Sequence, residues 1–183
     1  MRFLLTLVLA TLALAAPSHA APPVDPANTL VLELTTGKVV IQLRPDLAPK
    51  HVERVKMLAK EGFYNGIIFH RVIEGFMAQT GDPTGTGTGG SKYGNVPGEF
   101  SPAPFERGTV GAARSASKDS ANSQFFICFT YAPNLNGQYT VWGQVIEGIG
   151  NVDKIKRGEP PANPDKIVKA YIQADGPGAA AKK

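Results

Sequence analysis

The chain has 183 residues, a formal net charge of +4 and one cysteine. Its length suits one domain, and its basic residues are scattered, which excludes the basic stripe of a nucleic-acid-binding protein. The single Cys128 excludes an internal disulfide, so the core has to supply the stability. Because it lies in QFFICF, we interpret Cys128 as a small buried apolar residue and not as a nucleophile.

Residues 1–20, MRFLLTLVLATLALAAPSHA, have the layout of a secretory signal peptide. Arg2 precedes an apolar run to Ala16, and Ser18-His19-Ala20 forms a small-x-small cleavage site. The run is shorter than the ~20 residues that a membrane-spanning helix needs. We therefore expect cleavage and export, with no membrane association of the mature chain, and keep an uncleaved anchor as the alternative.

The next segments predict a leader, a hairpin and a helix. Residues 21–28 are rich in proline and indicate an extended leader. NTLVLELTTGKVVIQLRP contains two β-rich runs around Thr36-Gly37, which is a hairpin pattern. Residues 48–61 have apolar residues at helical spacing, with Pro49 in the first turn and Gly62 at the end. We expect His51 to be a surface or cap residue of this helix.

The remainder predicts short strands separated by long loops. Residues 69–82 indicate two short strands, and the Gly-, Pro- and Thr-rich segment after them indicates irregular coil. GTVGAARSAS, SQFFICF and YTVWGQVIEG indicate further strands, GIGNVDKIKRGE a second helix, and KIVKAYIQA a closing strand. Residues 176–183 indicate a flexible tail. This order favours antiparallel β with two helices, and closure into a barrel removes exposed edges most completely.

Common catalytic motifs are not found. GDPTGTGTGG has no Gly-Lys-Ser/Thr at its end and no helical pattern after it, so it is not a phosphate loop. Two histidines, His51 and His70, and one cysteine in the mature chain do not make a metal site, and we interpret His70 as structural. No Gly-x-Ser-x-Gly motif is present. We therefore expect no metal and no cofactor.

FHRVIEGFMAQTGD contains two short apolar runs around Glu74-Gly75, and each run carries one unexpected polar residue, Arg71 in the first and Gln79 in the second. One interpretation is structural: Arg71 pairs with a carboxylate, and Gln79 bonds to a loop. The other is a binding groove, because the strand SQFFICF is apolar on both faces apart from Gln124. One apolar face packs in the core, and the other lies under a helix or loop or forms the floor of a groove.

FHRVIEGFMAQTGDPTGTGTGG followed by SQFFIC resembles the cyclophilin family of peptidyl-prolyl isomerases. The resemblance runs from about Leu30 to Ile172, and the signal peptide is similar to that of the secreted bacterial branch. It implies a closed eight-stranded antiparallel β-barrel capped by two α-helices, over residues 29–175, with a groove on the outside.

The resemblance also implies site residues. Arg71 and Gln79 are expected to be catalytic, with Gln124 beside the pocket. A main-chain carbonyl of Ala113-Arg114 is expected to hold the peptide backbone. The apolar pocket for the substrate proline ring is expected from Phe76, Met77, Phe126 and Leu135.

Two positions and the length of one segment depart from the family pattern. Tyr139 stands where the family often has histidine, and it keeps a polar aromatic group in the pocket. Asn134 stands where the best-known members carry the tryptophan that matters for cyclosporin, so weak cyclosporin binding is expected. The segment ARSASKDSANSQ is one residue longer than the common form.

Local geometry alone does not assemble the site. A two-residue hairpin over residues 69–82 puts Arg71 and Phe76 on one face, and Met77 and Gln79 on the other. Convergence of all four side chains requires a bend or a bulge.

We therefore predict a monomeric, periplasmic peptidyl-prolyl cis-trans isomerase that acts on proline-containing unfolded or extended polypeptides during the folding of exported proteins. One alternative is a chaperone or docking module that binds such segments with little turnover. A second alternative is a barrel that stores a small apolar ligand, against which the many large apolar residues argue.

Overall fold

The computed structural model describes residues 24–178, which are mostly β. Two α-helices, α1 and α2, and three short 3-10 turns accompany the strands. The helices are α1 (Pro49–Lys60) and α2 (Ile149–Asp153), and the 3-10 turns are Pro26–Asn28, Pro133–Leu135 and Gln173–Asp175. The eight strands are β1 (Thr29–Leu34), β2 (Gly37–Leu43), β3 (Arg71–Ile73), β4 (Met77–Thr80), β5 (Thr109–Ala112), β6 (Phe125–Cys128), β7 (Val141–Glu147) and β8 (Ile167–Ile172).

The terminal predictions fall largely outside this range. The signal peptide (residues 1–20), the start of the leader and most of the tail lie outside the described residues. Where the leader is described, it is not extended: Pro26–Asn28 form a 3-10 turn, and Asp25 caps it by accepting a hydrogen bond from the Ala27 N–H. Among residues 24–178, no helix combines the length and the apolar character that crossing a bilayer requires.

The predicted hairpin and the first helix are both present. β1 and β2 pair in antiparallel register with Leu32 opposite Val39, joined by a tight turn between Leu34 and Gly37. The α1 helix agrees with the predicted residues 48–61 to within a residue at each end.

The expectation for His51 was wrong, because this residue is buried. Glu99, which follows a distant loop, accepts hydrogen bonds from the backbone N–H groups of Lys50 and His51 and so caps the start of α1. The same carboxylate lies 2.6 Å from His51 Nδ1. Burial lowers the pKa of His51, although the Glu99 carboxylate acts in the opposite direction.

The strands form one antiparallel sheet in the order β3-β4-β6-β5-β7-β2-β1-β8. The prediction of a closed barrel was wrong: the sheet is an open, curled half-barrel, and its end strands β3 and β8 share no ladder. Isolated bridges Ile68–Lys166 and Val72–Gly158 link the segments around these end strands. Segment 158–166 contains Pro160, Pro161 and Pro164, which cannot donate backbone hydrogen bonds, so it cannot extend β8 along β3.

The sheet separates two apolar clusters. The interior cluster contains Phe125, Ile127 and Trp142, together with buried side chains from α1 and α2. Its packed side chains argue against a barrel that stores a ligand. The second cluster, on the other face of β4 and β6, contains Met77, Phe126 and Cys128.

Candidate active site

The turn between β3 and β4 determines which side chains share a face. It has three residues, Glu74-Gly75-Phe76, so Arg71 pairs with Gln79 and Ile73 with Met77. Two-residue hairpin pairing is therefore absent, and the extra residue shifts the register by one. Relative to a two-residue hairpin, this shift moves the side chains of β4 to the other face of the sheet. Met77 and Gln79 therefore lie on the same face as Arg71.

Gly75 makes this turn possible. Its φ is +66°, and the Phe76 N–H donates to the Ile73 carbonyl at 3.1 Å. A positive φ at the third position of a turn is the requirement of a type II geometry and favours glycine. The bend that the site needs is thus produced locally.

Strand β6 supplies the apolar floor next to this pair. Phe126 lies opposite Gln79, and Cys128 lies opposite Met77. The Phe126 ring stacks on Phe105 at 5.6 Å and meets the Tyr139 ring edge-on at 5.8 Å. Aromatic contacts of this kind hold a ring in one orientation.

Gly111, on the neighbouring strand β5, leaves room for these rings. A Cβ at this position would lie 2.5 Å from Phe126 and 2.6 Å from Phe105. Real Cβ atoms do not approach other atoms this closely, so only glycine allows the two rings to pack over the strand.

These residues line an open groove with a volume of about 250 Å³. It contains nine of the ten site residues expected from the sequence, together with Asn134. Its lining is Arg71, Phe76, Met77, Gln79, Ala113, Arg114, Phe126, Asn134, Leu135 and Tyr139. The tenth expected residue, Gln124, lies beside the groove and is not part of its lining.

Arg71 forms an ion pair with Glu159 and also contacts Gln79, which lines the groove. Its Nε donates to Glu159 Oε2 at 2.8 Å, and its Nη1 donates to Gln79 Oε1 at 3.4 Å. The carboxylate pairing of the structural interpretation is therefore present. The guanidinium nevertheless lines an accessible groove, and its side chain is 41% exposed.

A chain of hydrogen bonds joins Gln79 to the Gly-rich loop. Gln79 Nε2 donates to Gln124 Oε1 at 2.9 Å, and Gln124 Nε2 donates to the carbonyls of Gly87 and Gly89. Each amide therefore has a defined orientation. With Nε2 on Gln124, the Gln79 oxygen points towards Arg71.

Asp82 organises the Gly-rich loop from inside. It is buried and accepts hydrogen bonds from Thr84, Gly87 and Gly89. Burial alone raises the pKa of Asp82, but these hydrogen bonds outweigh it and lower the pKa to about 2.

A second cavity, of about 510 Å³, adjoins the groove. Gln79, Ala113 and Arg114 line both cavities, and the Gly-rich loop and Gln124 form its other side. Arg114 lies over the Tyr139 ring at 4.4 Å and donates to the Gln138 carbonyl at 2.9 Å. A cation is thus held at the border between the two cavities.

Residues 29–172 match the family described as cyclophilin type peptidyl-prolyl cis-trans isomerase/CLD. The chain belongs to the cyclophilin family. A probable peptidyl-prolyl cis-trans isomerase of Brucella suis is 56% identical over 171 residues, which cover 85% of this chain and 87% of the relative. A peptidyl-prolyl cis-trans isomerase of Helicobacter pylori is 43% identical over 132 residues, covering 70% and 80%. Membership of this family supports peptidyl-prolyl cis-trans isomerase activity.

Solved structures agree with the assignment. The cyclophilin AquaCyp293 from Hirschia baltica superposes with a TM-score of 0.78 at 29% identity, over 83% of this chain and 76% of that one. A cyclophilin type peptidyl-prolyl cis-trans isomerase of Cryptosporidium parvum, crystallised in the presence of the dipeptide Ala-Pro, superposes with a TM-score of 0.74 at 30% identity. It covers 79% of this chain and 98% of that one.

Two residues at or beside this cyclophilin groove were not among the expected site residues. Asn134 lines the groove, and only its departure from the family pattern drew attention to it. Glu159 follows Arg71 by 88 positions, and its sequence context, RGEPPANP, contains no motif that predicts a contact with β3.

Other reactive groups in the described residues do not add to the site. Cys128 is buried, and this burial raises the pKa of its thiol to about 12, which agrees with its interpretation as an apolar residue. Residues 24–178 contain no group of three or more His, Cys, Asp or Glu side chains arranged to hold a metal ion.

Proposed function

We propose that this cyclophilin accelerates rotation about X–Pro bonds by directing an Arg71 donor at the prolyl nitrogen in an apolar groove. The observation that carries the proposal is the position of the Arg71 guanidinium at one groove together with Phe126, Met77 and Gln79. A partly exposed guanidinium beside an apolar floor can donate to a ligand whose apolar part binds on that floor.

The reaction requires no bond to be broken. Resonance gives the peptide C–N bond partial double-bond character and a rotational barrier of ~18–20 kcal/mol. For X–Pro bonds the two isomers are nearly balanced, yet they exchange in tens to hundreds of seconds. A catalyst therefore has only to stabilise the twisted amide more than the planar one.

Arg71 is suited to stabilise the twisted state. As the amide rotates, the prolyl nitrogen becomes pyramidal and its lone pair becomes available as an acceptor. An arginine stays protonated at all working pH values and presents several donors in a fixed plane. A donor that is already in place when the lone pair develops on the prolyl nitrogen stabilises the twisted state by ~3 kcal/mol, which corresponds to about a hundredfold in rate.

The other groove residues hold the two sides of the bond. The floor formed by Phe126, Met77 and Leu135 is proposed to bind the proline ring, because these side chains are apolar and almost fully buried beneath it. Gln79 is proposed to hold the carbonyl before the proline. One side of the amide is then anchored while the other rotates.

Proline-containing segments of exported proteins are the proposed substrates. The Ala-Pro dipeptide used with the Cryptosporidium relative agrees with a proline-directed groove. The signal-like layout of residues 1–20 is the basis for proposing export and a role in the folding of periplasmic proteins.

Arg71→Ala tests the proposal. We expect kcat/KM on a proline tetrapeptide, measured by protease-coupled isomerisation, to fall about a hundredfold, because the donor is lost. Arg44→Ala is the matched control, since Arg44 pairs with Asp46 and does not line the groove. Both variants are expected to keep the parental circular dichroism spectrum.

Two results contradict the proposal. Parental turnover by Arg71→Ala removes Arg71 from the mechanism. A parental protein that binds the tetrapeptide but does not accelerate its isomerisation is a binding module and not an isomerase.

A further inference from the structure

The ion pair between Arg71 and Glu159 occupies one particular atom of the guanidinium. Glu159 Oε2 accepts from Nε at 2.8 Å, whereas Nη1 is directed to Gln79 Oε1. Among the described residues, Nη2 has no hydrogen-bond acceptor. Glu159 thus holds the inner nitrogen and leaves a terminal nitrogen for a ligand in the groove.

The backbone fixes Glu159 beside Arg71. Val72 and Gly158 exchange two hydrogen bonds, N–H to O, at 2.8 and 2.9 Å. This bridge joins β3 to the segment before β8 and forms the junction between them. In an antiparallel bridge, the residue before one partner lies beside the residue after the other, so Arg71 lies beside Glu159. Backbone hydrogen bonds therefore fix the position of Glu159, and its carboxylate is not a chance surface contact.

The pair constrains the direction of the guanidinium plane. Arginine has a flexible stem, and its side chain here is 41% exposed, so a single weak contact with Gln79 at 3.4 Å does not hold it. A charge-assisted bond at 2.8 Å from Nε adds a second fixed point. Together with the attachment to the side-chain stem, these two contacts define the guanidinium plane that contains Nη2.

We propose that Glu159 is a positioning residue that orients Arg71 for donation to the prolyl nitrogen. The inference rests on the proposed function of Arg71. It extends that function by assigning a role to a loop residue that does not line the groove.

An opposing effect has to be weighed. A carboxylate beside a guanidinium also reduces the positive potential that acts on the twisted amide. Glu159 is 53% exposed, so water screens this Coulomb effect, whereas the directional bond remains. Orientation therefore outweighs neutralisation, and removal of Glu159 is expected to slow the reaction.

The chain contains a matched control at the same junction. Arg157 Nε donates to Glu74 Oε2 at 2.6 Å. In this second ion pair the carboxylate follows β3 and the arginine precedes Gly158, the reverse of the Arg71–Glu159 pair. Glu74 is 77% exposed, and neither residue of this pair lines the groove. A purely structural role of the junction predicts equal effects of the two carboxylates on activity.

The experiment compares Glu159→Ala, Glu159→Gln and Glu74→Ala in the full chain. Glu159→Ala is expected to lower kcat about tenfold with KM within about twofold, since a misoriented donor affects the twisted state and not peptide binding. Glu159→Gln keeps an oxygen that accepts from Nε and is expected to recover most of this loss. Glu74→Ala is expected to retain parental kcat. Exchange NMR on a proline tetrapeptide supplies kcat and KM separately.

A second measurement reports orientation directly. The Arg71 Nε–Hε cross-peak is expected to shift in Glu159→Ala and to stay in place in Glu74→Ala. The double variant Arg71→Ala/Glu159→Ala is expected to be no slower than Arg71→Ala, because the two residues act through one group.

The outcomes separate the two proposals. If Arg71→Ala is slow but Glu159→Ala matches Glu74→Ala, the positioning role fails and the proposed function stands. A faster Glu159→Ala shows that neutralisation dominates and also overturns the positioning role. If Arg71→Ala itself turns over at the parental rate, the proposed function has failed.

Discussion

Asp82 shows how a single buried carboxylate can hold a loop that has no regular secondary structure. It is 1% exposed and accepts hydrogen bonds from the backbone N–H groups of Thr84, Gly87 and Gly89. These donors favour the charged form and lower the pKa from an ordinary value of 3.8 to about 2. The carbonyls of the same loop hold Gln124, and through it Gln79 of the groove.

The lowered pKa makes a prediction about stability. A carboxylate whose folded pKa lies below its unfolded pKa stabilises the fold above the unfolded value, and this contribution is lost as pH falls through about 2. Asp82→Asn is therefore expected to lower the free energy of unfolding at pH 7 by roughly 2 kcal/mol. It is also expected to flatten the decline in stability between about pH 4 and pH 2.

Urea unfolding at a series of pH values measures both effects. Asp46→Asn is the control: the hydrogen bond from Arg44 also lowers the pKa of Asp46, but this pair is exposed and screened by water, so a much smaller effect on stability is expected. If the two variants have the same pH profile, Asp82 does not contribute as described.

At the scale of elements, the β3–β4 turn decides which residues form the groove. A loop one residue shorter reverses the faces of β4, so that Met77 and Gln79 point away from Arg71. The length of the turn and the positive φ of Gly75 are therefore as important to the site as the side chains themselves.

Gly75→Ala tests this requirement. A Cβ meets nothing within 4 Å, so the cost comes only from the backbone at φ +66°. We expect a loss of about 1 kcal/mol in the free energy of unfolding, because alanine disfavours the left-handed region.

Gly75→Asn is the matched control, since asparagine tolerates this region better. It is expected to lose clearly less stability than Gly75→Ala in urea unfolding. Equal losses by the two variants contradict a backbone origin.

At the scale of the whole molecule, one strand serves two packed layers. Phe125 lies in the interior, edge-on to Tyr64 at 5.6 Å and to Trp142 at 5.4 Å. Phe126, the next residue, forms the groove floor on the opposite face. The strand therefore couples the core to the site.

The two phenylalanines are expected to differ in function and not only in stability. Phe125→Ala leaves a cavity in the interior and is expected to cost about 3–5 kcal/mol of unfolding free energy, with KM for the folded protein within about twofold of the parent. Phe126→Ala removes the floor beneath the proline ring, so KM is expected to rise about tenfold. Urea unfolding and isomerase kinetics at low temperature measure the two quantities, and an unchanged KM in Phe126→Ala argues against the proposed pocket.

Sequence patterns predicted most elements, since each depends on local periodicity, but the helix predicted over GIGNVDKIKRGE ends at Asp153. The helical spacing in residues 48–61 and the two apolar faces of SQFFICF correspond to α1 and β6. His51 was misassigned, because it is buried in the fold and its hydrogen-bond partner is Glu99, a residue 48 positions away. Barrel closure was also wrong, because the proline-rich segment 158–166 cannot form a ladder with β3.

The order of apolar and polar residues by itself determined the strands, the helices and the division of β6 between two layers, because these depend on neighbours within a few positions. The tertiary structure alone decided the open edge of the sheet, the placement of Phe126 beside Arg71 and Gln79, and the contact of Glu159 with Arg71. These depend on register and on contacts between segments far apart in the chain, which no local pattern encodes.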